Sequence, residues 1–245
     1  MKARPILFSA PMVRALLDGR KTQTRRILKG STEFKGPYNP AYLEAHRNAD
    51  GWKRICPYGQ PGDLLWVRET FADVNDHGCP AILYKADGVT LDFMDIADYL
   101  CEDGSLDYDH PHIKKYHYSQ WIGDVESGEP YHGFHPSIHM PRWASRLTLE
   151  LTGVRVERLQ DISREDAIAE GIEPVLTGAG ERCGWLDYEH REAGTGYYIE
   201  PTNSYESLWD SINGSGSSDA NPWVWVLEFR VHQVNVDELL KRRAA

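Results

Sequence analysis

The chain has 245 residues, 41% of them hydrophobic and 26% charged, a composition that excludes a disordered polymer. Its 37 acidic and 27 basic side chains give a net charge of −10, which taken alone argues against a nucleic-acid partner. No run approaches the roughly 18 consecutive apolar residues of a membrane helix. At the start, MKARPILFSAPMVRALLDGRK, Arg14 and Asp18 interrupt apolar runs too short for a signal peptide, so a cytoplasmic protein without membrane contact is expected.

Residues 1–30 are basic: Lys2, Arg4, Arg14, Arg20, Lys21, Arg25, Arg26 and Lys29 face only Asp18. Pro11 followed by MVRALLDG predicts a short helix, with Pro suited to the first helical position and Gly19 to the residue after the last. Met12, Ala15 and Leu16 recur at i, i+3, i+4 on one face. KTQTRRIL then reads as a strand entered from a turn. A Gly- and Pro-rich insertion at about 31–60 precedes a strand over LLWVRETF (64–71), and AILYKA (81–86) predicts another. Residues 72–135 read as a second, elaborated insertion with a helix near Phe93–Leu100.

Strong pattern returns at RLTLELTGVRVERLQ (146–160), a strand in which Gly153 marks a bulge or turn. A short helix follows, with Ser163 as N-cap, Asp166 at the third helical position and Gly171 at the close. A third insertion covers 174–202. NSYESLWDSING (203–214) predicts a helix with Tyr205, Leu208, Trp209 and Ile212 on one face, and WVWVLEFRV (223–231) is the clearest strand. Trp223 and Trp225 stand at i and i+2 on one strand face and read as core. Residues 236–245 read as a polar tail. The expected class is α+β: one domain over 1–235, a mixed β-barrel with short helices and long insertions.

The cysteines Cys56, Cys79, Cys101 and Cys183 lack C-x-x-C spacing and read as reduced thiols. His110, His112, His117, His132, His135 and His139 cluster in one stretch, and His135 and His139 have i, i+4 spacing. Pro136 between them argues against the helix such a metal site would use, so neither metal nor cofactor is expected. The charge is segregated. Residues 71–130 hold 13 acidic and 3 basic side chains, and the rest of the chain is balanced. The acidity belongs to one insertion, which could bind an unidentified partner, while the segment around Lys21 is basic.

GRKTQTRR (19–26), PGDLLWVRET (61–70) and VRVERLQDISREDAIAEGI (154–172), leading through LWDSIN to WVWVLEF, form an ordered set. In this order they resemble the ASCH domain family, in particular its larger phage- and prophage-associated members. The resemblance implies a PUA-like β-barrel, similar to RNA-binding PUA domains. Small bacterial members are amidohydrolases that remove the acyl group from N4-acetylcytidine, with a Lys and a Thr from a G-x-K-T-x-T motif and a Glu on a short helix. On that pattern GRKTQT supplies Lys21 and Thr24, and the helix supplies Glu170, with Glu165 and Glu173 as neighbouring rivals. The implied chemistry has Thr24, activated by Lys21, attacking the acyl carbonyl while Glu170 relays a proton to the departing amine; a water activated by Lys21 or Glu170 is the alternative.

Three points of physical chemistry bear on this set. Arg20, Arg25 and Arg26 push the lysine pKa down and a nearby Glu170 pushes it up. Glu170 also stands in the last turn of its helix, against the negative end of the macrodipole. In a flat strand Lys21 and Thr24 would point to opposite faces, so both reach one site only if the chain turns near Gly19–Thr22. Arg20, Arg26, Trp66 and Arg68 are candidate substrate contacts. A different class remains open: an RNA- or DNA-binding module, or a nuclease, whose basic 1–30 segment contacts phosphates while Trp66, Trp143, Trp223 and Trp225 offer stacking faces.

Overall fold

A computed structural model describes residues 1–28, 56–116, 120–127, 133–190 and 196–244. Lys29, His117, His132 and nearly all of the 31–60 insertion lie outside the described residues. The elements run β1 (Ala3–Leu7), α1 (Ala10–Leu17), β2 (Gln23–Ile27), β3 (Leu64–Arg68), β4 (Phe71–Asp76), β5 (Cys79–Tyr84), β6 (Thr90–Asp92), α2 (Pro111–Tyr116) and α3 (Ile122–Ser127). They continue with β7 (Thr148–Arg158), α4 (Arg164–Ala169), β8 (Pro174–Leu176), β9 (Arg182–Leu186), β10 (Tyr197–Tyr198), α5 (Pro201–Asn213), β11 (Trp223–His232) and α6 (Val236–Ala244). The class is α+β, with several sheets and short helices. The longest sheet has the open order β1-β3-β7-β11-β2, so the expected barrel is not found: no sheet closes on itself among the described residues.

The described chain divides into two compact units. The first comprises Met1–Arg4, Ala15–Leu65 and Leu149–Gln233. In it β2 pairs antiparallel with β11, placing Thr24 opposite Leu227 and Arg26 opposite Trp225. Trp223 and Trp225 are buried, as their alternation predicted, and so are Tyr205, Leu208 and Trp209 of α5. Ile212, expected on the same helix face, is exposed because it falls in the last turn of α5, just before Gly214 ends it. The 174–202 stretch, expected to be irregular, holds a three-stranded antiparallel sheet, β10-β9-β8. Its strands are two to five residues long, too short for a period-two pattern to register.

Gly153 does not interrupt β7, which continues through it for 11 residues. The glycine lies beside the Glu228 side chain within a continuous strand and marks no turn.

The second unit comprises Pro5–Arg14, Trp66–Thr148 and Val234–Ala245. The acidic insertion is a structured part of it. β4, β5 and β6 form an antiparallel sheet, with Val74 opposite Ala81 and Ile82 opposite Leu91. Phe71, Ile82, Tyr84, Phe93 and Tyr99 pack into one apolar cluster, and the Tyr84 hydroxyl donates to the Ala144 carbonyl at 2.7 Å. The helix expected near 93–100 is instead two 3-10 turns, Phe93–Asp95 and Ala97–Tyr99, the first capped by Asp92.

The supposed polar tail is α6. Asn235 caps it, accepting from the Asp237 N–H at 2.8 Å while its amide donates to the carbonyls of Arg142, Trp143 and Ser145. Val236 and Leu239 are buried, a spacing of three within a run too short and too charged to declare itself in the sequence. Leu239→Ala is expected to cost about 2–4 kcal/mol in urea unfolding, against under about 0.5 kcal/mol for a residue of a solvated tail.

Candidate active site

α4 begins where Ser163 accepts the Asp166 N–H at 3.1 Å and ends at Gly171, whose φ is +85°. A Cβ at Gly171 would lie 2.8 Å from the Cβ atoms of both Ala15 and Lys21, so glycine is required for packing as well as for the turn. On the facing segment Gly19, with φ +70°, turns the chain out of α1. Lys21 N–H then donates to Ala15 O and Thr22 N–H to Ala169 O, both at 2.9 Å. Lys21 therefore precedes β2 and is not bound by its alternation, which meets the condition set by the flat-strand argument.

These backbone constraints bring Lys21 and Glu170 together across 149 residues of sequence. Lys21 Nζ donates to Glu170 Oε2 and to the Glu170 carbonyl, each at 2.7 Å. The lysine side chain is 0% exposed and the glutamate 2%. Glu165, one of the two rivals, is exposed. Burial is the largest influence on Lys21 and pulls its pKa below the ordinary lysine value; Glu170 opposes it, and Arg26 and Arg25 add to the lowering. Contact with two cations, and not the dipole of a six-residue helix, dominates the setting of Glu170.

The second cation is Arg25. Its Nη1 lies 3.2 Å from Glu170 Oε1, and its Nη2 donates to Asp166 at 3.0 Å and Glu157 at 3.2 Å. Gln23 joins the same network, accepting from Arg25 and donating to Asp166 at 3.1 Å. Burial works against the Arg25 charge, but Glu170 and its other neighbours outweigh it and raise its pKa. Arg155 backs the network through Glu157, Glu228 and Asp166. Tyr205 from α5 lies under the Arg25 guanidinium at 5.8 Å, and burial, then Glu170, raises its pKa well above the usual phenol value.

No family model, curated protein or solved structure matches the chain.

The other expected site residues fall less neatly. Gln23 and Arg25, at i and i+2, reach α4 from one face of β2, so alternation turns Thr24 and Arg26 to the other. Thr24 is buried, and no hydrogen bond joins its hydroxyl to Lys21 or Glu170. Arg26 is lowered in pKa by burial, against the opposing influence of Tyr58, Glu170 and Tyr205. Arg20 donates to Asp18 at 2.9 Å and to the Gly171 carbonyl at 2.9 Å, holding the helix end. Trp66 and Arg68 belong to the second unit. There the Arg68 guanidinium stands 4.6 Å from the Trp66 ring and donates to Ile138 O, so both are engaged internally.

The nucleic-acid elements are also largely consumed by the fold. Trp66, Trp223 and Trp225 are buried and present no stacking face, and Trp143 is half-buried against the second unit's core. Five of the eight cations of the basic N-terminal segment are spent on protein partners: Arg4 on Asp63, Arg14 on Ala86 O, Arg20 on Asp18, Lys21 on Glu170, and Arg25 on three carboxylates. Among the described residues no group of three His, Cys, Asp or Glu side chains is arranged to hold a metal ion.

Arg25, Gln23 and Asp166 are members of the site that motif reasoning passed over. A signal was present: Gln23 and Arg25 share a strand face, and Asp166 and Glu170, at i and i+4, share a helix face. Breaking a buried pair strands a charge, whereas replacing both members with apolar residues does not. Lys21→Met is therefore expected to cost about 3–5 kcal/mol, and Lys21→Met with Glu170→Leu distinctly less, read as a double-mutant cycle in chemical denaturation.

Proposed function

We propose that this protein is an ASCH-type amidohydrolase with a PUA-like core, acting in the cytoplasm to remove the acyl group from N4-acylated cytidine or a related modified nucleoside or base. The observation that carries this reading is the buried 2.7 Å contact between Lys21 and Glu170, the two charged members of the motif set, from segments 149 residues apart. Neither side chain has a solvation reason to be buried, and a purely structural pair of this kind is a poor source of stability.

Amide hydrolysis needs a base for the nucleophile's proton and an acid for the leaving nitrogen. A proton shifted across the Nζ···Oε2 hydrogen bond converts ammonium and carboxylate into amine and carboxylic acid. Burial favours that neutral form of the pair. The amine takes the proton of the attacking hydroxyl as it bonds to the acyl carbon. The carboxylic acid gives its proton to N4 as the C–N bond breaks, leaving the ammonium–carboxylate pair restored. The opposite-face register of Thr24 favours water as the attacking group, with Thr24 beside the reaction path.

Incubation with a panel of N4-acylated cytosines, cytidines and deoxycytidines tests this. Turnover is expected, with kcat/KM falling by about 10²–10⁴-fold in Lys21→Ala and in Glu170→Gln. Thr24→Ala should keep most of the activity; its complete loss would make Thr24 the nucleophile. No turnover of any panel member would overturn the proposal. Because burial holds Lys21 below the ordinary value of 10.5, its amine form is reached at lower pH than in an exposed lysine. The acid step needs the pair to keep one proton, so the rate should fall as pH rises through the lowered Lys21 value, below pH 10.5.

A further inference from the structure

The second unit contains a cavity of about 320 Å³ lined by Phe71, Asp73, Lys115, Tyr116, His135 and His139. It is at the small end of the roughly 300–1,000 Å³ range of ligand pockets. Among the described residues that line it, three side chains are nitrogen donors that can carry positive charge, and one is a carboxylate. That carboxylate is engaged: Asp73 Oδ1 lies 2.5 Å from His135 Nε2. The bond fixes the ring and leaves Nδ1 as the nitrogen outside it, on a side chain that is 45% exposed.

The walls are held by the fold. His135 and Phe71 exchange two backbone hydrogen bonds, 2.7 and 3.3 Å, and their rings stand 5.1 Å apart. Asp73 belongs to β4, opposite Ile82 in the sheet. His139 closes a 3-10 turn over Ser137–His139, pinned by Arg68 bonding to Ile138 O at 3.0 Å and by buried Met140 immediately after it. Lys115 projects from α2 beside Tyr116, its Nζ 5.1 Å from that ring. An Asp-oriented imidazole, a second imidazole, an ammonium and two aromatic rings thus line one small space.

We propose that this cavity binds a small phosphomonoester, its phosphate held by Lys115, His135 and His139 and its organic part lying against Phe71 and Tyr116. A phosphomonoester offers charge and oxygen acceptors to all three nitrogens at once, and charge-assisted hydrogen bonds of this type are the stronger ones. The Asp73–His135 bond orients the ring, so that its other nitrogen can meet such a ligand. This site is independent of the Lys21–Glu170 chemistry, and neither reading needs the other.

Calorimetric titration of the full chain with ribose 5-phosphate, inorganic phosphate and ribose tests the proposal, alongside NMR of labelled histidine side chains. Saturable binding of ribose 5-phosphate is expected, weaker binding of phosphate and none of ribose, with the His135 and His139 resonances moving. Lys115 and His139 are exposed, so Lys115→Ala and His139→Ala should fold normally and each weaken binding about tenfold. Absence of saturable phosphate or ribose 5-phosphate binding by the wild-type chain would overturn the proposal. So would undiminished binding in a folded Lys115→Ala/His139→Ala double variant, or equal binding of ribose.

Discussion

A lysine and a glutamate removed from water must hold each other, or one must give up its charge. That constraint organises the first unit. The Lys21–Glu170 pair is tolerable only because each partner is satisfied further: Lys21 by the Glu170 carbonyl as well as its carboxylate, Glu170 by Arg25 on its second oxygen. Arg25 in turn is buried, and needs Asp166 and Glu157. Each buried charge thus calls for the next, until the chain of ion pairs reaches the half-exposed Arg155 and Glu228 at its rim. The local geometry answers to the same demand: the turn at Gly19, the short α4, and the strand face carrying Gln23 and Arg25.

How much of this was legible in the sequence depended on how local the signal was. Caps and turns were readable because their chemistry is carried by single residues: Ser163 caps α4, and Gly19 and Gly171 take positive φ. The long strands were readable from alternation, and Trp223 and Trp225 went to the core as their spacing required. Short strands in the 174–202 stretch and the helix at 236–244 escaped, since two to five strand residues or one helical turn of burial make no period. Lys21 and Glu170 were found through motif resemblance, but their contact could not be, because no local rule joins residues 149 apart. Thr24 shows the opposite case: the motif groups it with Lys21, while on β2 it alternates with Gln23 and Arg25, the residues that reach α4.

The whole-chain charge of −10 misdescribed both halves of the molecule. Most of the basic N-terminal stretch is engaged by the protein itself: Arg4, Arg20, Lys21 and Arg25 meet carboxylates and Arg14 a carbonyl. The acidic stretch from 71 to 130 is a folded part of the second unit, with an apolar cluster, an antiparallel sheet and Arg146 binding both Glu69 and Asp87 across the Tyr84 ring. Its Lys115 shares one cavity with His135 and His139 from just beyond the segment, and a count over 71–130 conceals that meeting.

The absent side chain at Gly171 has a consequence for the order of folding. With the Cβ atoms of Ala15 and Lys21 so close to it, the end of α4 fits against the segment that turns at Gly19 only if position 171 carries no side chain. The two segments are distant in sequence, so their meeting carries the loop-closure entropy of most of the chain and belongs to the later, non-local stage of folding. Until that step, Lys21 and Glu170 are ordinary solvated side chains. The chemistry of the pair is therefore a property acquired at the close of folding, and a partly folded chain possesses none of it.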